Sequence, residues 1–242
     1  MEGYFRIVTT VYNAEEFIGD CIKSVLAQTD EKWHQIVVVD GATDNTLEEA
    51  KKAAGDDPRI KIVEVPKRKG ICNSHQLAHN THYREEDDVF IHLDGDDIFL
   101  YKESLEYIRS VYTKHDVWAT YGSYVAKSGN ACVAHSVDLE KNIRSHIKTG
   151  WPFSHPRTFR CFLWDKLTSE DFRDKEGKEY TAAVDVAIFA PVLEMCGHRI
   201  AYIEDPLYLY NDDTELNEHK VALGDQARCA LDICSRKARL PL

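Results

Sequence analysis

The sequence predicts an α/β fold with a mainly parallel central sheet flanked by helices. Apolar runs of strand length alternate with segments of helical periodicity from residue 4 to residue 97. One of these runs, "HQIVVVD", is almost uniformly apolar, as expected for a parallel strand that is covered on both faces. Strand, helix, strand order of this kind is typical of βαβ units, whose ligands bind beyond the carboxyl ends of the strands.

Each predicted element has its own signal. The helices carry apolar residues three or four positions apart, and the turn "GATDNT" supplies Asp and Thr side chains that can cap the helix after it. In chain order, the predicted strands are "YFRIVTTVY", "HQIVVVD", "RIKIVEVP" and "DDVFIHLD", and the helices between them are "AEEFIGDCIKSVLAQ", "LEEAKKAA" and "GICNSHQLAHNTH".

Composition limits the classes of function. The 242 residues include 43% hydrophobic and 29% charged residues, which is typical of a soluble globular protein. A net charge of −11 argues against a nucleic-acid partner, since binding phosphates requires a basic face. The seven cysteines form no CxxC pair, and no run has the pattern of a signal peptide or the length of a membrane span. We therefore expect a cytoplasmic protein, with at most peripheral membrane contact through the short basic stretch "SRKAR".

Three carboxylates follow the last predicted strand, in "FIHLDGDDIF". Asp94, Asp96 and Asp97 require a cation, a hydrogen-bonding loop or open water, because charged groups behind an apolar strand are costly. No GxGxxG or GxxxxGK[ST] motif is present, and the stretch lacks the glycine of a calcium-binding EF-hand loop. The pattern favours a nucleotide site in which a metal ion takes the place of a glycine-rich loop. The alternative is that Asp96 or Asp97 caps a helix near "LYKESLEYI".

Several stretches together resemble the successive motifs of family 2 glycosyltransferases with the GT-A fold. The resemblance covers roughly the first 110 residues and extends to two later segments. It implies one domain over residues 1–242, with a nucleotide-sugar-binding half at 1–100, an acceptor-binding half at 101–220 and a carboxyl-terminal helix at 221–242. The motifs are "VTTVYNAEEFIGDCIKSVLAQT", "IVVVDGATDNTLEE", "KGICNSHQLAHN" and "FIHLDGDDIF", and the later segments are "FSHPRTFRCFLW" and "TAAVDVAIFAPVLEMCG".

The resemblance implies transfer of a sugar from a nucleotide-diphosphate-sugar to an acceptor hydroxyl, with inversion at the anomeric carbon. The favoured donor is a UDP-sugar, with dTDP- or GDP-sugars as alternatives, and the acceptor is a glycan, a glycoprotein or a lipid-linked glycan. The implied metal is Mn²⁺ or Mg²⁺, which hard oxygen ligands suit. Asp96 is the predicted metal ligand, Asp94 a ligand of the ribose or the metal, and His219 a third metal ligand.

The implied donor site lies on the loops that follow the strands. Asp40 resembles the aspartate that binds the base, although Val39 stands where many relatives have a second acid. Arg68 or Lys69 is placed to reach the diphosphate. Simple turn formation is the alternative for the acids, and a solvated loop is the alternative for the two cations. The remaining predicted donor-site residues are Thr10, Tyr12, Asn13, Asp44 and Gly95.

Inversion also requires a general base, which in this family is an acid at the start of a helix. Asp185 matches that position, with Val184 in place of a preceding acid; a helix N-cap is the alternative role for Asp185. For the acceptor, Trp151 or Phe153 is predicted to stack on a sugar ring. His155 and Arg157 are also predicted to lie at the acceptor site, orienting the acceptor or contacting a phosphate, unless "WPFSHPRTFR" is a proline-bearing loop with partly buried rings.

Two other classes of function remain open at this stage. A non-catalytic sugar-nucleotide or glycan-binding domain would explain why Val39, His75 and Val184 depart from the usual motifs. Alanine at Asp185 separates the two, since an enzyme loses transfer while its donor binding survives. A nucleotidyltransferase is the third class, but the chain lacks the basic, glycine-rich amino-terminal loop expected for a triphosphate.

Overall fold

The computed structural model describes residues 1–129, 131–132, 134–139, 142–213 and 223–242. In the described part, nine strands form one sheet, in the order β3-β2-β1-β4-β8-β6-β9-β5, with β7 beside β6. The strands are β1 (Phe5–Val11), β2 (Trp33–Asp40), β3 (Ile60–Val65), β4 (Val89–His92), β5 (Ile98–Phe99), β6 (Ala119–Ala126), β7 (Ala131–Cys132), β8 (Ser154–Arg160) and β9 (Ile200–Tyr210). The helices are α1 (Ile18–Leu26), α2 (Thr46–Ala54), α3 (Ile71–Thr81), α4 (Ser104–Lys114), α5 (Ser145–Thr149), α6 (Val184–Cys196) and α7 (Leu223–Ser235), and two short 3₁₀ helices cover Cys161–Lys166 and Ser169–Phe172.

The amino-terminal half is parallel. β1 pairs in parallel with β2 on one side and with β4 on the other, and β2 pairs in parallel with β3. Every residue of β2 except His34 is buried, which agrees with its apolar sequence. The predicted α/β fold with a mainly parallel sheet is therefore confirmed, and the carboxyl ends of β1, β2 and β4 meet at one edge.

The second half extends the same sheet. β8 lies between β4 and β6 and is antiparallel to both, while β9 runs parallel to β6. The reading of "WPFSHPRTFR" as a loop is wrong, because residues 154–160 form a central strand. Since β8 is antiparallel to β4, its first residues lie beside the last residues of β4, and Arg157 pairs with His92.

Hydrophobic residues pack on both faces of the sheet. One buried cluster includes α1, α2 and α4, and the other includes α6 with parts of α3 and both 3₁₀ helices. Twelve of the thirteen residues of α6 are buried, and Asp185 is the partly exposed one. Among the described residues, no helix has both the length and the apolar character needed to cross a membrane. The six cysteines whose side chains are described are all free thiols.

Candidate active site

The acidic loop after β4 is held against the end of β1. The amides of Leu93 and Gly95 donate to the carbonyls of Val8 and Thr10, at 3.0 and 3.2 Å. A Cβ atom on Gly95 would lie 2.5 Å from the Cβ of Val11, so only glycine fits this approach. Helix α4 begins at Ser104, beyond the short strand β5, so the reading of these aspartates as helix caps is wrong.

Replacement of Gly95 by alanine is expected to destabilise the protein by about 1–3 kcal/mol and to weaken metal binding. The added methyl group must displace β1 or the acidic loop, and overpacking of this kind costs energy in that range. Urea unfolding and Mn²⁺ titration measure the two effects. Gly19→Ala is the matched control, because a Cβ there meets nothing within 4 Å. Equal stability of the two variants would contradict the close approach.

The three acids of this loop share a site that disfavours their negative charge. Burial and the charge of Asp96 together raise the pKa of Asp94 to about 7, against the opposing effect of Arg157. Burial likewise raises the pKa of Asp96, and it raises that of Asp97 well above its usual value. One Asp97 oxygen accepts the Asn211 amide at 2.7 Å, and the other has no hydrogen-bond partner among the described residues. A divalent cation would favour the ionised forms, and these hard oxygen donors fit Mn²⁺ or Mg²⁺.

This crowding predicts a pH dependence of stability in metal-free protein. Because the pKa of Asp94 is raised in the folded state, its protonated form stabilises the fold below about pH 4, and that contribution is lost as the pH rises through about 7. Asp94→Asn should therefore be more stable than wild type at pH 8, by about 1–2 kcal/mol after solvent screening, since the Asp94 side chain is 37% exposed. The two proteins should converge at pH 4. Urea unfolding in chelator at both pH values measures the difference, and a constant difference would contradict this assignment.

His155 and Arg157 lie between the acidic loop and the predicted base. Nε2 of His155 lies 3.6 Å from Oδ2 of Asp94 and 2.7 Å from Nη1 of Arg157. Nη2 of the same guanidinium lies 2.8 Å from Oδ2 of Asp185. Since the guanidinium can only donate, His155 accepts through Nε2 and is neutral in this arrangement. Two residues predicted for the acceptor site thus connect the predicted metal ligand with the predicted base.

Asp185 stands at the start of α6, but it is not the helix cap. The N-cap is Ala183, which has a left-handed backbone with φ of +54°, and the helix begins at Val184. The capping alternative for Asp185 is therefore wrong. Its side chain is 32% exposed, whereas that of Arg157 is 9% exposed. The ion pair orients the Asp185 carboxylate, and the carboxylate still reaches solvent.

The predicted donor residues line the edge formed by β1, β2 and the loop before α3. The Asp40 carboxylate is buried and accepts the amides of Lys69 and Gly70, at 2.7 and 2.8 Å. It thereby fixes the loop that carries Arg68, whose guanidinium lies 3.7 Å from the centre of the Tyr12 ring. Arg68 and Lys69 are both exposed, and their role toward a diphosphate stays a prediction.

Three further predicted residues support the same edge. Asn13 adopts a positive φ of 47° and accepts the Thr43 amide at 2.8 Å, and Asp44 accepts the Thr46 amide at 3.0 Å. The carbonyl of Thr10 accepts the Gly95 amide, so the tip of β1 contacts the acidic loop directly. These contacts position the loops and leave the nucleotide roles of the residues as predictions.

On the acceptor side, the aromatic residues differ in exposure. Phe153 is fully buried against Tyr121 and Trp151, so its predicted stacking on a sugar is wrong. Trp151 is partly exposed and keeps that possibility. His219, the predicted third metal ligand, lies outside the described residues.

Residues 6–166, more than half of the chain, match the sequence model of glycosyl transferase family 2. The chain belongs to this family. A curated relative is the UDP-Glc:α-D-GlcNAc-diphosphoundecaprenol β-1,3-glucosyltransferase WfgD of Escherichia coli, which is 34% identical over 143 residues, covering 58% of this chain and 54% of WfgD. The chain spans about half the length of the curated relatives that it matches first.

Solved structures of glycosyltransferases share the fold. S. aureus TarS 1–349 in complex with UDP-GlcNAc superposes with a TM-score of 0.69 at 19% identity, covering 90% of this chain and 61% of that one. The mannosyltransferase PcManGT of Pyrobaculum calidifontis, in complex with GDP-Man and Mn²⁺, gives a TM-score of 0.63 at 18% identity, covering 90% and 59%. The predicted GT-A fold and the family 2 glycosyltransferase assignment are confirmed.

The end of β9 also contributes two residues to the site of this family 2 chain, and the sequence did not predict them. Tyr208, on β9, stacks on His155 with ring centres 4.6 Å apart, and its hydroxyl accepts the Asp94 amide at 3.1 Å. Asn211, just after β9, donates its amide to Asp97. The available signal was the run "YLYND", an aromatic strand that ends in polar residues, as the strands before the other site loops do.

Proposed function

We propose that this chain transfers a sugar from a nucleotide-diphosphate-sugar, preferably a UDP-sugar, to a hydroxyl of a glycan acceptor, with inversion and with Mn²⁺ or Mg²⁺. The observation that carries the proposal is the proximity of Asp94 and Asp185, with His155 and Arg157 between them: His155 lies 3.6 Å from Asp94 and 2.7 Å from Arg157, and Arg157 lies 2.8 Å from Asp185. A transferase needs its leaving-group site and its base close enough to contact the same sugar, and this arrangement provides both. One domain over residues 1–242 is supported by β8, which places second-half residues beside β4.

In this proposal, the edge of β1 and β2 binds the nucleotide. Tyr12 and the stacked Arg68 border it, Asp40 holds the loop before α3 in place, and Lys69 is exposed beside it. The half-buried amino end of α3 follows Gly70, and the amides at a helix start favour anions such as a diphosphate. The parts of the donor therefore lie in the order base, diphosphate, sugar toward Asp185.

Asp94 and Asp96 would hold the metal ion. The chemistry that such a cation supplies is stabilisation of the negative charge that develops on the departing diphosphate. The raised pKa of both carboxyls supports this role, because burial disfavours both negative charges, the charge of Asp96 adds to the effect at Asp94, and a cation would relieve both. Tyr208 and the β1 carbonyls keep the loop in one conformation.

Asp185 would take the proton of the acceptor hydroxyl. Arg157 keeps the carboxylate oriented through the ion pair at 2.8 Å. Trp151 offers a partly exposed ring for the acceptor sugar. The acceptor class stays broad, as a glycan, a glycoprotein or a lipid-linked glycan; the name of WfgD specifies a diphosphoundecaprenol-linked acceptor for that relative. For this transferase we propose a cytoplasmic location with at most peripheral membrane contact.

Calorimetric titration with UDP-, GDP-, dTDP- and CMP-sugars, each with Mn²⁺ and with chelator, tests the donor site. We expect one nucleotide class, UDP first, to bind only in the presence of the cation. Titration with the corresponding nucleoside monophosphate is the control, since it lacks the diphosphate that meets the metal. Binding of no nucleotide-sugar, or binding unaffected by chelator, would contradict the proposed site.

A further inference from the structure

Three buried histidines form a cluster beneath the candidate active site. His75 and His79 lie one turn apart on α3, and His92 is the last residue of β4. One ring nitrogen from each lies within 4.8 Å of the others. All three are at least 97% buried. The proposed transferase mechanism uses none of them.

The hydrogen bonds of His79 fix its tautomer. Nδ1 of His79 lies 2.7 Å from the carbonyl oxygen of His75, and a carbonyl can only accept, so Nδ1 carries the proton. Neutral His79 therefore has its lone pair on Nε2, which points at Nε2 of His92 from 3.0 Å. Metal-binding histidines typically donate their other N–H to a carbonyl or carboxylate in this way. His79 is thus already in the tautomer that binds a metal ion through Nε2.

A second observation concerns His75. Its Nδ1 is buried and has no hydrogen-bond partner among the described residues. A buried polar atom of this kind is costly unless a partner is supplied. The ring of His79, in turn, stacks on Trp164 with centres 3.8 Å apart and an angle of 6°, which fixes its orientation. The cluster therefore combines an oriented ligand with one unsatisfied nitrogen.

We propose that His75, His79 and His92 bind one Zn²⁺ ion at a site separate from the acidic loop. Imidazole nitrogens suit Zn²⁺ and similar borderline metals, whereas the oxygens of Asp94 and Asp96 suit Mn²⁺ and Mg²⁺. Zinc binds four ligands, with about 2.0–2.1 Å per imidazole nitrogen, so a water molecule would complete a site of three histidines. In a tetrahedral site this separates the nitrogens by roughly 3.3 Å, so the 3.0 Å contact between His79 and His92 opens slightly, and the other separations, which reach at most 4.8 Å, close by up to about 1.5 Å.

The position of the cluster gives the ion a structural role. It would join α3 to β4, and β4 leads through Leu93 directly into Asp94. His75 also lies near enough to Asp185 and Arg157 for their charges to affect it. A bound ion would therefore hold the helix that borders the donor site against the strand that carries the acidic loop.

Cobalt and zinc titrations of chelator-treated full-length protein test the site. We expect one equivalent of Co²⁺ to give the visible absorption of a nitrogen-bound tetrahedral ion and to be displaced by one equivalent of Zn²⁺. His79→Gln and His92→Gln should each weaken Zn²⁺ binding by at least roughly 100-fold. His82→Gln is the control that should bind zinc as wild type does, because it alters a buried histidine that contacts the carbonyl of Ile7 instead.

X-ray absorption at the zinc edge of the wild-type protein provides a test that does not depend on folding of the variants. Scattering from three imidazoles supports the site. A sulfur shell would assign the zinc to cysteines, and an oxygen shell would assign it to carboxylates; either result overturns the proposal. Failure of folded wild-type protein to bind zinc, or zinc binding retained in the folded His79→Gln and His92→Gln variants, overturns it as well.

Discussion

Asp185→Asn should lower kcat by roughly a thousandfold while donor affinity and fold are retained, because removal of a general base typically costs 10²–10⁴ in rate. Asparagine has the shape of aspartate and can still accept a hydrogen bond from Arg157, but it cannot take a proton from the acceptor. The measurement is steady-state transfer together with calorimetric donor binding. A loss of kcat without loss of donor affinity assigns Asp185 to the chemical step.

Asp57→Asn is the matched control for this variant. Asp57 also pairs with an arginine, Arg59 at 2.7 Å, but at the start of β3. The Asp57→Asn variant reports how much activity is lost when the acid of any arginine–carboxylate pair is neutralised. If both variants lose activity equally, or if Asp185→Asn transfers sugar at the wild-type rate, Asp185 is not the base. A wild-type protein that binds donor and never turns over would instead favour the non-catalytic binding domain.

Asp96→Ala should weaken Mn²⁺ binding by at least roughly 100-fold and lower kcat/KM by about 10²–10⁴. The first figure is typical of losing a metal-site residue, and the second follows from the several kcal/mol that a cation supplies to the departing diphosphate. Mn²⁺ affinity is measured by electron paramagnetic resonance of the free ion, and kcat/KM by transfer at saturating metal. The variant should also lose the metal dependence of donor binding.

The control for Asp96→Ala is Asp20→Ala. Asp20 lines the same pocket beside Asp96, but it lies on α1, where its exposed carboxylate pairs with Lys23. It therefore tests whether any nearby negative charge attracts the cation. Equal Mn²⁺ affinity of Asp96→Ala and wild type would remove Asp96 from the metal site.

The parallel half of the fold follows from the sequence because its signals are local. The uniformly apolar run of β2 and the helical spacing in α1 can each be read without knowledge of the rest of the chain. The structure places β2 at Trp33–Asp40 and α1 at Ile18–Leu26, within a few residues of the predicted bounds. The resemblance to the family added the order of the loops and the assignment of Asp185.

The second half of the fold is harder to predict from the sequence because its contacts join residues that are far apart in the chain. "SHPRTFR" carries a proline and three basic residues, which is unusual for a central strand. It occupies that place because its polar side chains meet partners on α6, α4 and β6: Arg157 pairs with Asp185, and Tyr112 and Thr120 both hydrogen-bond the Thr158 hydroxyl. Sequence patterns do not reveal such partners.

Contacts between residues far apart in the chain also decide the surroundings of several site residues. Asp40 was predicted to bind the base, and its carboxylate accepts two amides from a loop 29 residues away. Phe153 reads as an exposed aromatic next to a proline, yet it is wholly buried. Tyr208 contacts Asp94 across 114 residues. Each case depends on a tertiary contact that no local pattern encodes.

The central claim is metal-dependent transfer with inversion, and the most direct measurement is proton NMR of the sugar released from an α-linked donor. The donor that binds most tightly is incubated with enzyme and Mn²⁺. With water as acceptor, the first anomer released is identified before mutarotation; with a simple sugar as acceptor, the configuration of the new glycosidic bond is identified. We predict that the β-anomer appears first, that chelator abolishes its formation and that Asp185→Asn forms it far more slowly. Release of the α-anomer first, or release that chelator leaves unchanged, would contradict the account.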